Sequence, residues 1–346
     1  MPYGVGIIGA GPGVAALHSP TLARLRRDFR VVHVADAGSG RAEDIARRTD
    51  ARWSTGIREL LDDPAVDVVA ICSPPAEHAE QVLAAVAAGK RAILCEKPIA
   101  TTEADAVAAI EACRAARVPL LAGTNHIFDA AWGRARHHLA AAGGTVRAVS
   151  VTMALPPNGR YHGAVTEFAP VSAMNRGAPD LREPAVAASV VRQLLTGLAV
   201  HDLPLLRDLA PDFERVVYAR AVAPIGYVLG YEASGVPIRL ATVMLADGAD
   251  ALWRMDITTD DERVEVLFPP AFVHDGSATV RVRFADDRVT VYPQEDEDGY
   301  VAEWRALVAA MRGDVEVEYD ELLGDARYAL RLAQAASAAI LEGADR

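Results

Sequence analysis

Cysteine is scarce in this sequence. Its three cysteines, Cys72, Cys95 and Cys113, lack the spacing of a metal site, and two of them fall inside apolar stretches. We therefore expect no bound metal, and thiols buried in a reducing compartment. Long apolar runs are also missing: none approaches a membrane span, and no leader precedes the first apolar stretch, Gly4–Ile8. These absences predict a cytoplasmic protein without a membrane partner.

Basic residues are too few to balance the acidic ones. The sequence has 35 Lys and Arg against 47 Asp and Glu, which gives a formal net charge of −12. Because no basic stripe offsets that charge, we expect no nucleic-acid partner. Low-complexity tracts and internal repeats are absent as well. A globular chain of 346 residues is too long for one typical core, so the length predicts two domains.

The first third of the chain alternates short apolar runs with helical patterns. The predicted strands are 5–9, 31–36, 66–72, 91–95 and 118–122. The predicted helices are 14–26, 41–48, 57–61, 76–88 and 102–116. Strands that are apolar throughout and alternate with helices indicate a parallel sheet covered on both faces.

Beyond about residue 145, apolar and polar residues alternate, as they do in a sheet with one exposed face. The strands predicted there are 146–155, 216–222, 238–245, 251–257, 263–268, 279–284 and 289–291, which indicate one mostly antiparallel sheet. The predicted helices are 185–209, 300–312 and 320–342, the last packing back on the first domain. The irregular, Pro- and Gly-rich stretch 156–184 is predicted to be a substrate loop.

A glycine-rich loop, Gly9-Ala10-Gly11-Pro12-Gly13-Val14-Ala15-Ala16, joins the first strand to the first helix. Glycines at such a junction allow a tight turn and a close approach to a pyrophosphate. Counting from Gly9 puts Val14 at the third small position, whereas counting from Gly11 puts Ala16 there. The loop predicts a dinucleotide site that contacts Gly9, Gly11, Pro12, Gly13 and Val14.

The second strand ends at Asp36, whose carboxylate is placed to accept hydrogen bonds from both ribose hydroxyls. A carboxylate there repels the 2′-phosphate of NADP, so Asp36 predicts NAD as the cofactor. Ser39 and Arg41 lie close enough in sequence to keep NADP as the alternative.

Several motifs in a fixed order carry a resemblance to a known family. Besides the glycine loop, they are Ile71-Cys72-Ser73-Pro74-Pro75-Ala76-Glu77-His78, Ala88-Gly89-Lys90, Glu96-Lys97-Pro98 and Gly123-Thr124-Asn125-His126-Ile127-Phe128-Asp129. In this order the motifs resemble those of the Gfo/Idh/MocA oxidoreductases, relatives of glucose–fructose oxidoreductase and inositol dehydrogenase. The likeness is strong up to residue 135 and looser beyond it.

The resemblance implies an α/β Rossmann domain with a parallel sheet (1–124). It implies an α+β domain with a large open, mostly antiparallel sheet (125–322) and a C-terminal helix that packs on the Rossmann domain (323–346). The open sheet would form a homodimer or homotetramer.

The same resemblance assigns roles to residues of the first domain. Lys97 would be the acid/base at the reacting carbon, with Glu96 near the nicotinamide ribose and a cis Lys97–Pro98 bond. Contacts along the cofactor are expected from Ser73, Pro74, His78, Lys97 and Asn125.

The family's second catalytic element is an aspartate, three residues, then a histidine. Here the histidine is His201, but the aspartate position holds Gly197. Three explanations stay open: Lys97 and His201 suffice, another group supplies the polarity, or the site has lost hydride chemistry and only senses a ligand. The candidates for that other group are Asn125, His126, Tyr161, His162 and Asp202.

These observations predict an NAD(P)-dependent oxidoreductase that moves a hydride between nicotinamide and a sugar, cyclitol or related small molecule. Lys97 would exchange the proton and His201 would position the reacting oxygen. The expected substrate contacts are Lys97, His126, Tyr161, His201 and Asp202. The alternatives are an imine reductase, a cofactor-loaded ligand sensor and a glycosidase that oxidises its substrate transiently.

Overall fold

The computed structural model describes residues 1–156, 179–245, 250–270 and 273–343. These residues fall into two units. The first contains 1–124 and 300–327, and the second contains the described residues from 125 to 299 together with 328–343. No helix in the described ranges combines the length and the apolarity needed to cross a bilayer.

The first unit is built on a six-stranded parallel sheet with the order β3-β2-β1-β4-β5-β6. Its strands are β1 (Tyr3–Ile8), β2 (Phe29–Asp36), β3 (Arg52–Thr55), β4 (Val68–Ile71), β5 (Ala92–Cys95) and β6 (Leu120–Ala122). Its helices are α1 (Ser19–Arg24), α2 (Arg41–Thr49), α3 (Arg58–Asp62), α4 (His78–Ala87) and α5 (Glu103–Ala116). This is the predicted Rossmann-like architecture.

Strand β3 is the element that the sequence pattern missed. It lies at the edge of the sheet, and only Ser54 of its residues is buried. Because an edge strand with exposed side chains needs no apolar run, the sequence carries no hydrophobic signal for it.

The second unit contains an eight-stranded sheet with the order β14-β13-β12-β11-β7-β10-β9-β8. Its strands are β7 (Val146–Leu155), β8 (Phe213–Ala221), β9 (Gly226–Ala233), β10 (Val236–Met244), β11 (Leu252–Thr259), β12 (Glu262–Phe268), β13 (Thr279–Phe284) and β14 (Val289–Tyr292). Its first helices are α6 (Asn125–Phe128), α7 (Ala130–Ala142), α8 (Pro184–Gly197) and α9 (Leu203–Leu209). Only β7 and β10 pair in parallel, so the sheet is mostly antiparallel, as predicted.

Strand β9 was also absent from the predicted strands, and its glycines explain why. A Cβ at Gly230 would lie 2.3 Å from a ring carbon of Tyr218, and one at Gly226 would lie 2.2 Å from the Thr242 carbonyl oxygen. Glycine is required where neighbouring atoms come this close, and it interrupts the apolar pattern from which a strand is read.

The predicted helix 185–209 is broken in the structure. Helix α8 ends at Gly197, Leu198 leaves helical geometry (φ −121°, ψ −61°), and Ala199–His201 form a short 3₁₀ turn before α9. Gly197 and His201 are therefore not neighbours on one face of a continuous helix. An acid at position 197 could pair with His201 only on a continuous helix, which the sequence pattern predicted here.

Two helices complete the chain, α10 (Gly299–Arg312) and α11 (Tyr319–Gly343). Trp304 and Leu307 of α10 join the apolar core of the first unit, although the sequence boundaries had placed them in the second domain. Along α11, Leu323 packs in a core of the first unit, whereas Tyr328 and Leu332 join the core of the second. Helix α11 thus contributes to both units, and not only to the Rossmann unit.

Candidate functional site

In the glycine loop that follows β1, a close backbone contact requires one glycine, and two others have no described atom near them. Gly9 has φ +93°, and a Cβ there would lie 2.5 Å from the Cys72 carbonyl oxygen after β4. No atom of the described residues lies within 4 Å of a Cβ placed at Gly11 or Gly13. Val14 is buried in the apolar core, so only its backbone is available to a ligand.

Asp36 stands at the end of β2 and holds the loop that follows it. Its Oδ1 accepts hydrogen bonds from the backbone N–H of Gly38 (2.7 Å) and Ser39 (3.2 Å). Its Oδ2 accepts from the Ser39 hydroxyl and from the Ala42 N–H (3.3 Å). Burial opposes the charge, but these hydrogen bonds outweigh it and lower the pKa of Asp36 below its ordinary value. The carboxylate is ionised. To bind it, a ribose hydroxyl would have to replace one of these hydrogen-bond donors.

Glu96 follows β5 and is held on both of its oxygens. His18 Nε2 donates to Oε1 at 2.9 Å, while Oε2 accepts from the backbone N–H of Lys97 at 3.2 Å. The other nitrogen of His18, Nδ1, faces the indole N–H of Trp304 at 3.3 Å. Although burial favours the neutral acid, the hydrogen bond from His18 lowers the pKa of Glu96. Glu96 is thus a fixed negative charge beside Lys97.

Lys97 is partly buried at the carboxyl end of β5, and the Lys97–Pro98 peptide bond is cis, as expected. Burial disfavours the ammonium and lowers the pKa of Lys97 below its ordinary value, while the Glu96 carboxylate opposes that effect. A lysine whose pKa is lowered in this way is able to exchange protons nearer to neutral pH.

His78, which was predicted to lie along the cofactor, is held between two loops, and its cofactor contact stays a prediction. It is only 1% exposed, its Nδ1 lies 2.7 Å from the Pro98 carbonyl oxygen, and its Nε2 lies 2.8 Å from that of Ser73. Both nitrogens are thus occupied by backbone atoms, and the ring ties the loop after β4 to the loop after β5. The Ser73 hydroxyl donates to Gln81 Oε1 at 2.6 Å, and Pro74 precedes the 3₁₀ turn that leads into α4.

The residues of this region fit a nicotinamide dinucleotide. None of the described atoms would meet a Cβ at Gly11 or Gly13, and Asp36 provides an ionised acceptor at the end of the second strand.

In the second unit, Asn125 carries a buried Oδ1 that accepts no hydrogen bond from the described residues. A buried acceptor without a partner is costly unless a ligand or water supplies a donor.

A separate polar cluster forms inside the second unit. His126 Nδ1 lies 2.9 Å from Asp202 Oδ1, and the Trp253 indole N–H donates to both oxygens of Asp202 at 3.1 and 2.9 Å. Asp202 is completely buried and stands behind His126, and its predicted contact with a substrate stays a prediction.

Aromatic rings hold this cluster in place. His126 stacks on Phe268, with ring centroids 3.8 Å apart and planes 7° apart. His201 lies beside both His126 and Trp253, with centroids 5.5 and 5.8 Å away. Sequence reasoning named His126, His201 and Asp202 but missed Trp253 and Phe268. The sequence pattern of their strands, β11 and β12, indicates only that apolar and polar residues alternate, and gives no sign of a site.

His18 and Trp304 were missed for the same reason, because they meet across 286 positions of the chain. Tyr161, a predicted substrate contact, and His162, a candidate for the missing polar group, lie outside the described residues, as does most of the predicted substrate loop. Within the described residues, no group of three His, Cys, Asp or Glu side chains is arranged to hold a metal ion.

The sheet order, the glycine turn after β1 and the acidic end of β2 define the first unit as a dinucleotide-binding Rossmann domain. Residues 3–124 match the model of the Gfo/Idh/MocA family, which is described as an oxidoreductase family with an NAD-binding Rossmann fold. The resemblance seen in the sequence motifs is thereby confirmed over this part of the chain.

Individual proteins match the chain over different lengths. The inositol 2-dehydrogenase of Acidothermus cellulolyticus is 39% identical over 112 residues, 32% of each chain. The 1,5-anhydro-D-fructose reductase of Ensifer adhaerens is 41% identical over 109 residues, 30% of this chain and 32% of that protein. The match thus spans about a third of the length of these curated relatives.

A solved structure extends the likeness of fold to nearly the whole chain. KijD10, a 3-ketoreductase from Actinomadura kijaniata in complex with NADP, superposes with a TM-score of 0.74. The alignment covers 97% of this chain and 98% of that one, at 18% sequence identity. At that identity the similarity establishes the fold of both units and no more.

Proposed function

We propose that this protein is an NAD(P)-dependent oxidoreductase that interconverts a hydroxyl and a carbonyl group on a sugar or cyclitol. The observation that carries the proposal is Lys97, a lysine with a lowered pKa beside the ionised Glu96, on an NAD-binding Rossmann fold. The similar proteins named above act on inositol and on an anhydro sugar, which supports the substrate class.

The residues that would hold the coenzyme follow from the open space and the charges of the first unit. The loop through Gly11 and Gly13 would receive the pyrophosphate, and Asp36 would accept the ribose hydroxyls. When bound, the nicotinamide accepts or donates the hydride. Because Asp36 is ionised, we propose a preference for NAD over NADP.

Lys97 would exchange the proton that accompanies hydride transfer. In reduction, its ammonium donates a proton to the oxygen of the new hydroxyl group; in oxidation, its neutral amine accepts that proton. Burial lowers the pKa of Lys97, so the neutral form is populated at a lower pH than for an exposed lysine. Oxidation should therefore speed up as the pH rises through this pKa, and reduction should slow down.

The test is nicotinamide absorbance during incubation with myo-inositol, scyllo-inositol and 1,5-anhydro-D-fructose, for the wild type and for Lys97→Ala. General acid/base catalysis contributes about 10²–10⁴ in rate, so Lys97→Ala should lower kcat by that factor while the Kd for the coenzyme stays nearly unchanged. The matched control is Arg91→Ala, which removes an exposed cation just before β5 and should keep full turnover.

Two results would contradict the proposal. Full turnover by Lys97→Ala would remove Lys97 from the reaction. Tight coenzyme binding with no redox change for any of these compounds would favour the ligand sensor that the sequence left open.

A further inference from the structure

The ring of His126 is fixed from several sides within the second unit. Asp202 takes the Nδ1 side at 2.9 Å, Phe268 stacks on the ring face at 3.8 Å, and Trp253 packs edge-on at 4.7 Å. His126 is 5% exposed, and Asp202 and Trp253 are 0% and 1% exposed. A ring held in this way keeps one orientation, which a structural role alone does not require.

The contacts of Asp202 determine the tautomer of His126. The Trp253 indole N–H only donates, and it reaches both carboxylate oxygens. The carboxylate is thus an acceptor on both oxygens, and His126 Nδ1 must carry the proton that it shares with Asp202. In the neutral ring this leaves Nε2 without a proton, as a hydrogen-bond acceptor.

The acceptor nitrogen of His126 has no partner in the described part of the chain. Nε2 makes no hydrogen bond among the described residues, and it is not one of their buried polar atoms without a partner. A buried carboxylate therefore orients an imidazole whose other nitrogen is not used by these residues. The same arrangement of carboxylate, Nδ1–H and available Nε2 fixes reactive histidines in other sites.

We propose that His126 Nε2 accepts a hydrogen bond from a hydroxyl group of a polyol substrate, with Asp202 and Trp253 as positioning residues. The proposal rests on the proposed function and narrows its substrate class to compounds that carry several hydroxyl groups. It also gives the site the polar group that Gly197 lacks, from a different part of the chain.

Asp202→Asn is the decisive variant, because it reverses the tautomer with little change in shape. The amide would accept from Trp253 and donate to His126 Nδ1, so the ring proton would move to Nε2. A polar group left without its partner costs about 1–3 kcal/mol, so we expect KM to rise by about 10- to 100-fold, with kcat much less affected. His126→Leu should raise KM as much as Asp202→Asn does.

Glu262→Gln is the matched control. It alters another histidine–carboxylate pair of the same unit, His138 Nε2 to Glu262 at 3.0 Å, whose Nδ1 faces the Tyr292 hydroxyl at 3.2 Å. The expected result is an unchanged KM and an unchanged pH profile. A KM that rises equally in Glu262→Gln would show that any loss of a buried pair has this effect, and would overturn the assignment.

Nitrogen-15 NMR of histidine-labelled protein reads the tautomer without turnover. The wild type should show a proton on Nδ1 of His126, and Asp202→Asn should show it on Nε2. A proton on Nε2 in the wild type, or an unchanged KM in Asp202→Asn, would overturn the proposal. If the wild type oxidises or reduces no compound, the proposed function fails. Titration of the protein with myo-inositol, followed by the His126 signal, then tests the role of His126 separately. A shifted Nε2 signal supports the role of His126, and an unmoved signal overturns it.

Discussion

The two units obtain their candidate functional groups in different ways. In the first unit, each group lies in a short segment with a recognisable motif: Gly9 in the turn after β1, Asp36 in the loop to residue 42, and Lys97 in the Glu96–Pro98 turn. In the second unit, the cluster around His126 is assembled from α6, the turn before α9, β11 and β12. Short sequence motifs therefore identify the candidate groups of the first unit, whereas contacts between residues far apart in sequence assemble those of the second.

Substitution of Gly9 should have the largest effect, because the turn after β1 has no room for a side chain at this position. Gly9→Ala forces an alanine to φ +93° and puts its Cβ 2.5 Å from the Cys72 carbonyl oxygen. Strain and overlap together should lower the free energy of unfolding by about 3 kcal/mol or more. Chemical denaturation followed by circular dichroism measures this change.

Gly13→Ala sharpens the same comparison, because its Cβ meets no atom within 4 Å in the described part of the chain. Its free energy of unfolding should stay close to that of the wild type, while the Kd for NAD rises because the methyl group takes space meant for the ligand. Equal losses of stability in both variants would show that the loop is only a structural turn.

Asp36 should have the next largest effect, on coenzyme choice. A hydrogen bond to a charged group contributes about 1.5–3 kcal/mol, so Asp36→Ser should raise the Kd for NAD by about tenfold or more. Removal of the negative charge should at the same time strengthen binding of NADP. Fluorescence titration with both coenzymes measures the two constants, and an unchanged ratio would remove Asp36 from the coenzyme site.

Gly197 should have the smallest effect, because the cluster of the second unit does not use it. A Cβ there meets no atom of the described residues within 4 Å, and the backbone does not have a positive φ. Gly197→Ala should therefore stabilise the fold by about 0.4–1 kcal/mol and leave kcat unchanged. A large loss of turnover in this variant would break the comparison, since it would give Gly197 a direct role in the site.

The sequence was sufficient for the parts of the fold that leave an apolar pattern. The buried strands of the first sheet and the alternating strands of the second were predicted close to their observed bounds. The edge strand β3 and the glycine-containing β9 left no such pattern. The break after Gly197 was missed because the apolar pattern continues through it, although Gly197 is a poor helix former, and because Pro204 is tolerated at the start of α9.

The candidate site divides in the same way. Gly9, Asp36 and Lys97 could be named because the chemistry of each is visible in a few consecutive residues. The hydrogen bond of His18 to Glu96 and the contacts of Trp253 and Phe268 with the His126 cluster join residues far apart in sequence. His78 shows the limit of motif reading, because its two backbone hydrogen bonds make it a fixed link between loops.

The most direct test of the account is the pKa of Lys97 itself. The sequence has only two lysines, Lys90 and Lys97, so NMR of lysine labelled at Nζ gives two signals, and Lys97→Arg identifies one of them. The account predicts a pKa for Lys97 below the ordinary value of about 10.4, and a matching limb in the pH dependence of kcat that disappears in Lys97→Ala. An ordinary pKa, or a limb that survives in Lys97→Ala, would contradict it.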